Sequence, residues 1–227
     1  MSVKQTPVLD HLLAAGKHIW DKYCDHPFVD GIGSGKLDKE RFQFYMVQDY
    51  LYLLQYTKVF AMGIIKSDSE RMMQQFAISV DAFLNGELDT HRAYMKRLGI
   101  TIEEVENTPT ALANSTYTSY MLNVAQIYGL PELIVSILSC AWTYEMIADT
   151  LLERYPDAAD HEFYGQWIRT YTGKDFKNTN VQIIAMTEEL CADAFKNPAH
   201  LERLTDVFVK CCRLEMGFWD MAWDMAL

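Results

Sequence analysis

The chain has 227 residues, half of them hydrophobic and 13% aromatic, which is enough for a packed core and too apolar for disorder. Its 31 acidic against 20 basic residues leave a formal charge of -11, a field that repels phosphate backbones and anionic lipid. Nucleic acid and membrane surfaces are therefore not expected as partners.

The N-terminal MSVKQTPVLDHLLAAGKHIW lacks the unbroken apolar stretch of a signal peptide. Residues 133–142 form the most apolar window, but Ser136 and Ser139 interrupt it, and it reads as too short to span a bilayer. The five cysteines (Cys24, Cys140, Cys191, Cys211 and Cys212) are odd in number and lack Cys-x-x-Cys spacing, so neither a disulfide framework nor a zinc site is read from them. Free thiols in a reducing cytoplasm are the expectation.

In chain order, the six prolines fall where helical periodicity pauses and act as punctuation. Residues 26–35, opening with His26-Pro27-Phe28, are expected to form a long loop. Asp38 is a candidate N-cap for a helix reaching about residue 66, and Ser67-Asp68-Ser69 offers the next cap. The helix after it is expected to run to about residue 98, where Gly99 stops it. Thr101 with Glu104 matches a capping box for a short helix. Residues 117–128 read as helical up to Gly129, and Pro131 opens the helix that carries Cys140. Residues 160–172 and 174–194 give two more helices, and Asn197-Pro198 opens a final one. No stretch alternates with period two, and there is no linker or repeat. The expectation is one domain over residues 1–227, an all-α, single-domain helical bundle with its ligand site between facing helices.

Two carboxylates sit on faces that ought to be apolar. Tyr45, Asp49, Tyr52 and Tyr56 follow one another at spacings of four, three and four and share a stripe with Val59. An acid on such a stripe needs a partner, from protein or from ligand; a surface Asp beside tyrosines is the plainer alternative. Glu215 repeats the pattern on the last helix, in register with Phe208, Cys211 and Cys212. Cys140 lies in Ser139-Cys140-Ala141-Trp142-Thr143-Tyr144, with the Tyr144 hydroxyl one turn on along the same face. A buried cysteine is usually a small hydrophobe, so the polar company is what singles this one out. The other four cysteines read as packing.

No Glu-x-x-His occurs, and Glu87 and His91 are four apart and stand alone, so a di-metal carboxylate site is not expected. His11 and His18 on the first helix are poor haem ligands, and Gly31-Ile32-Gly33 follows no strand and is not a dinucleotide signature.

Several segments taken together resemble the TenA/thiaminase II family: His26-Pro27-Phe28-Val29-Asp30-Gly31-Ile32, Arg41-Phe42, Gln48-Asp49-Tyr50-Leu51-Tyr52-Leu53, Tyr117-Thr118-Ser119-Tyr120-Met121, Cys140-Ala141-Trp142-Thr143-Tyr144, Tyr164-Gly165-Gln166-Trp167-Ile168-Arg169-Thr170-Tyr171 and Glu215-Met216-Gly217-Phe218-Trp219-Asp220-Met221-Ala222-Trp223. They occur in order along nearly the whole chain. The resemblance implies a haem-oxygenase-like fold without haem or other cofactor, a homotetramer, and hydrolysis of an aminomethylpyrimidine to its hydroxymethyl form, with related cleavage of thiamin. It implies Cys140 as nucleophile, Glu215 as acid/base, and Asp49, Tyr52, Tyr117, Tyr144 and Tyr171 as the pyrimidine pocket; Tyr117 and Tyr171 rest on the resemblance alone. Where the family often has proline before the nucleophile this chain has Ser139, which keeps its N–H and can continue the helix. The competing readings are a pyrimidine-binding regulator without turnover and a haem-oxygenase-like di-metal oxidase. The leaving group, whether ammonia, formamide or thiazole, is not legible in the sequence.

Overall fold

In the computed structural model, which describes residues 5–227, several helices begin where the sequence supplies a capping side chain or a proline in the first turn. They are α1 (Pro7–Trp20), α2 (Pro27–Gly33), α3 (Lys39–Lys66), α4 (Glu70–Ala82), α5 (Leu88–Leu98), α6 (Ile102–Glu106), α7 (Leu112–Ile127), α8 (Leu130–Arg154), α9 (Gly165–Thr172), α10 (Lys174–Leu190) and α11 (Pro198–Asp224). No strand occurs among the described residues. Residues 1–4 of the N-terminal stretch lie outside them.

The expected caps are in place. Ser69 accepts from the Met72 N–H, Asn197 from the His200 N–H, and Thr101 with Glu104 forms a complete capping box. Each such cap contributes about 1 kcal/mol. Asp38 occupies the N-cap position of α3 but turns its carboxylate to Arg41 instead. Gly99 ends α5 at φ 72, a left-handed conformation that glycine adopts without a Cβ clash.

Three expectations are corrected. Residues 27–33 are a helix, not a loop: Pro27 sits in its first turn and His26 Nδ1 accepts from the Phe28 N–H at 3.2 Å. Its glycines hide it from periodicity and serve close packing, since a Cβ on Gly33 would lie 2.7 Å from both Leu151 and Tyr155. The segment from Ser69 to Gly99 is not one helix. A π turn, Phe83–Glu87, separates α4 from α5. It buries Phe83 and leaves Glu87 beside the α3 face that carries Asp49. Lastly, α8 is 25 residues long and, by length and composition alone, apolar enough to cross a membrane, so the window around Cys140 is not too short as such. Most of that stretch is buried inside the bundle, as befits a helix apolar on nearly all sides.

The architecture follows from α8. It packs against α10, α11, α7 and α3, while α3 also carries α4, α5 and α7 on its flanks and α1 closes over α11 and α10. Ser139 does not break α8. Its hydroxyl turns to Cys212 Sγ on α11 at 3.5 Å. The three longest helices, α3, α8 and α11, thus meet along one another and bring their polar stripes together.

Candidate active site

The stripe on α3 is wholly buried: Tyr45, Asp49, Tyr52 and Tyr56 are each 3% exposed or less. Tyr56 donates to the Ile137 carbonyl of α8 at 2.9 Å, and Tyr45 donates to the Tyr144 hydroxyl at 3.3 Å while accepting from Trp167 Nε1 at 3.1 Å. These bonds tie α3 to α8 and α9. Aromatic faces continue the wall, with ring centroids 5.3 Å apart for Tyr52 and Tyr117, 5.5 Å for Tyr52 and Phe218, 4.8 Å for Tyr144 and Tyr171, and 5.3 Å for Tyr144 and Trp219.

Asp49 has the partner its burial demands, and that partner is His91, which sequence reading sets aside. His91 Nε2 and Asp49 Oδ2 are 2.7 Å apart, both nearly inaccessible. His91 Nδ1 lies 3.0 Å from the Glu87 carbonyl, which can only accept, so Nδ1 carries a hydrogen. One further proton then bridges Nε2 and Oδ2. Burial by itself lowers the imidazole pKa, but the Asp49 carboxyl and the Glu87 side chain outweigh it and raise the value. The pair shares that proton across a short, buried contact.

Cys140 on α8 and Glu215 on α11 are buried close enough for the carboxyl to influence the thiol. Burial pushes the Cys140 thiol well above its ordinary value, the charges of Glu215, Glu87 and Asp49 add to this, and the Tyr52 hydroxyl acts in the opposite sense. The thiol therefore carries its proton in the free protein. Burial, then the Asp49 charge, lifts Glu215 to about 8, with the Tyr117 hydroxyl opposing. A third carboxyl, Glu87, is raised to about 7, first by burial and then by Asp49, while His91 and the Tyr171 hydroxyl hold it down. Tyr171 donates to Glu87 Oε1 at 2.9 Å. Three acids and one thiol thus share a small volume, two of the acids poised to exchange protons near neutrality.

What the cluster lacks is equally informative. Glu215 Oε2, the Tyr117 hydroxyl and Trp219 Nε1 are buried without a well-formed hydrogen bond among the described residues, although Tyr117 lies close enough to Glu215 to lower its pKa. Leaving such a group unpaired costs about 1–3 kcal/mol each. Two donors, the Tyr117 O–H and the Trp219 N–H, and a carboxyl oxygen of Glu215 are left over, which suits a heteroaromatic ring with nitrogen acceptors and an amino group.

All seven residues expected at the site, Cys140, Glu215, Asp49, Tyr52, Tyr117, Tyr144 and Tyr171, are buried in this one cluster. His91, Glu87, Trp167 and Trp219 belong to it and are not singled out by sequence. Only the four-residue spacing of Glu87 and His91 hints at a shared face. Cys211 and Cys212 are wholly buried in the core, where burial first and Glu215 after it raise both thiols, and Cys212 also meets the Ser139 hydroxyl. His11 is bonded to Thr205 Oγ1 at 3.0 Å, far from any of this in role. Among the described residues no group of three or more His, Cys, Asp or Glu converges as a metal site.

A sequence profile of the TENA/THI-4/PQQC family matches residues 13–225. An aminopyrimidine aminohydrolase of Halalkalibacterium halodurans is 45% identical over 207 residues, 91% of each chain. Another from Helicobacter pylori is 38% identical over 220 residues, 96% of this chain and 99% of its own. Among solved structures, a TenA family transcription regulator from Silicibacter sp. TM1040 superposes with a TM-score of 0.88 at 26% identity, covering 95% of this chain and 96% of that one. A Shewanella denitrificans domain with a heme oxygenase-like fold shares the architecture (TM-score 0.73, 16% identity, 99% of this chain and 94% of that one). The fold is the haem-oxygenase-like helical bundle.

Proposed function

The chain belongs to the TENA/THI-4/PQQC family, and on that premise we propose that it is a C–N hydrolase of thiamin salvage, an aminopyrimidine aminohydrolase. It converts 4-amino-5-aminomethyl-2-methylpyrimidine and water to the 5-hydroxymethyl pyrimidine and ammonia, with thiamin cleavage as a related activity. The observation that carries this reading is the set of buried, unpartnered polar atoms on Tyr117, Glu215 and Trp219 around a cysteine. A polar heteroaromatic ligand restores their hydrogen bonds.

Cys140 is the nucleophile. Glu215, on the facing helix, takes the thiol proton as sulfur adds to an electron-poor ring carbon. The ring electrons move toward the exocyclic methylene and expel the amine, to which Glu215 passes that proton, so that ammonia leaves. Water then adds to the methylene, giving its proton to Glu215, and expulsion of sulfur restores aromaticity and regenerates the thiol. Asp49, held in place by His91, accepts from the amino group on the amidine edge of the ring and fixes the ring's orientation. Tyr52, Tyr117, Tyr144 and Tyr171 wall the ring and orient it.

A homotetramer acting in the cytoplasm is part of the proposal, and the exposed Ile65, Ile78, Leu112 and Val181 are surfaces that assembly would cover. Light scattering of the purified protein checks it. The reaction is tested by following ammonia release from the aminomethylpyrimidine, beside thiamin, for the wild type and Cys140→Ala. Release that depends on Cys140 supports the assignment. A folded wild type that releases no ammonia and no thiazole contradicts it.

A further inference from the structure

One small cavity, of about 20 Å³, opens directly on Cys140. That is room for a single water-sized group. Its polar lining comes from Glu87, Asn180, Thr179 and Tyr144, closed off by Phe83 and Phe176. Neither Asp49 nor Glu215 lines it. Asp49, assigned to the ring, and Glu215, which passes its proton to the amine, thus reach the substrate from outside this cavity, which is left for the N–H bonds of the group the ring carries.

The hydrogen-bond inventory of that lining is one-sided. Asn180 commits both N–H donors, to the Ala141 carbonyl at 2.8 Å and to Glu145 Oε2 at 2.7 Å, so its remaining group is the acceptor Oδ1. Thr179 spends its hydroxyl hydrogen on the Asp175 carbonyl at 3.1 Å. Glu87 Oε1 already accepts from Tyr171, which leaves Oε2. The Tyr56 hydroxyl, also in the lining, spends its hydrogen on the Ile137 carbonyl, so apart from the Tyr144 hydroxyl these groups offer lone pairs, Glu87 in its ionised form.

We infer that Glu87 and Asn180 form a subsite that recognises the primary amino group of the substrate, the group that leaves, by accepting its N–H bonds. An amine or ammonium has the donors and the size; a thiazolium ring has no N–H and does not fit until Phe83 and Phe176 move aside. Phe83, Glu87, Phe176 and Thr179 also line an outer cleft of about 400 Å³ between the π turn and the α9–α10 junction, which reaches exposed Lys174 and Asp175. Ammonia leaves by that route. The π turn acquires a role here, because it delivers both the Phe83 barrier and the Glu87 acceptor. This subsite rests on the aminopyrimidine reading of the site.

The test is calorimetric binding to Cys140→Ala and to Cys140→Ala combined with Glu87→Gln, using 4-amino-5-aminomethyl-2-methylpyrimidine and its 5-methyl analogue, which lacks the nitrogen. The glutamine oxygen keeps the Tyr171 bond while its NH2 replaces an acceptor with a donor. The expected result is a preference for the aminomethyl ligand that falls about tenfold or more on Glu87→Gln, with 5-methyl binding changed less than about threefold. Equal loss for both ligands, or an unchanged preference, overturns the subsite and leaves the ring site standing. No binding of either pyrimidine to Cys140→Ala overturns the ring site and the subsite with it.

Discussion

Helix α8 carries two polar clusters, about 21 Å apart along its axis, and they are opposites. At the C-terminal end, Arg154 donates to the Cys24 carbonyl at 2.8 Å, to Asp30 at 3.1 Å and to Asp25 at 2.8 Å, and Tyr155 donates to Asp30 at 2.8 Å. Arg154 and Asp30 are each about a third exposed, and the protein supplies a partner for every charge. Around Cys140 the polar groups Asp49, His91 and Glu215 are buried, and several polar atoms are left without partners. The first cluster is complete as folded and holds α2 to α8. The second is complete only when something else enters. Incomplete satisfaction under burial, more than charge density, is what separates a ligand site from a structural ion-pair network.

The comparison breaks most visibly at Cys140. Cys140→Ser is expected to lower ammonia release by about a thousandfold or more while leaving thermal unfolding near that of the wild type, because serine fits the same space. Near-normal turnover sinks the nucleophile assignment.

Glu215→Gln sharpens the comparison by separating function from stability. Turnover is expected to fall about a hundredfold to ten-thousandfold. Stability moves the other way. Glu215 has a folded pKa of about 8, raised above the ordinary 4.5, so its contribution is full below pH 4.5 and is lost as the pH rises through 8. Removing the carboxyl removes that loss. The variant should melt above the wild type near pH 9 and close to it near pH 4.5, as read by a pH series of thermal scans. A variant less stable at the higher pH contradicts the buried-acid account.

Asp49→Asn is expected to cost about a hundredfold in kcat/KM, since the amide keeps the shape and weakens the acceptor that holds the ring's amino group. The smallest effect belongs to the other cluster. Arg154→Met should cost about 1 kcal/mol of stability, in keeping with partly exposed pairs, and change turnover less than about twofold. A large loss of activity there erases the contrast between the two regions.

Much of this was legible in the sequence wherever a stripe repeats with helical period. Tyr45, Asp49, Tyr52 and Tyr56 on α3, and Glu215 with Cys211 and Cys212 on α11, mark inward faces by spacing alone. The demand that Asp49 find a partner is legible too, but the partner is not: His91 lies 42 positions away, and nothing local ties the two together. The π turn leaves one signal, Asn85-Gly86, but helical periodicity resumes at once on both sides, and the extra residue in the turn changes which way Glu87 faces. Helix α2 escapes for the reverse reason, as its glycines look like a loop while serving close packing against α8. Tyr117 and Tyr171 sit in ordinary helical sequence, and only family resemblance singles them out.

The most direct measurement is a crystal structure of Cys140→Ala soaked with 4-amino-5-aminomethyl-2-methylpyrimidine. The account predicts the ring beside residue 140, with its heteroatoms within hydrogen-bond distance of Asp49 and of the atoms now unpaired on Tyr117 and Glu215. A ligand bound elsewhere, with those atoms still lacking partners, contradicts it.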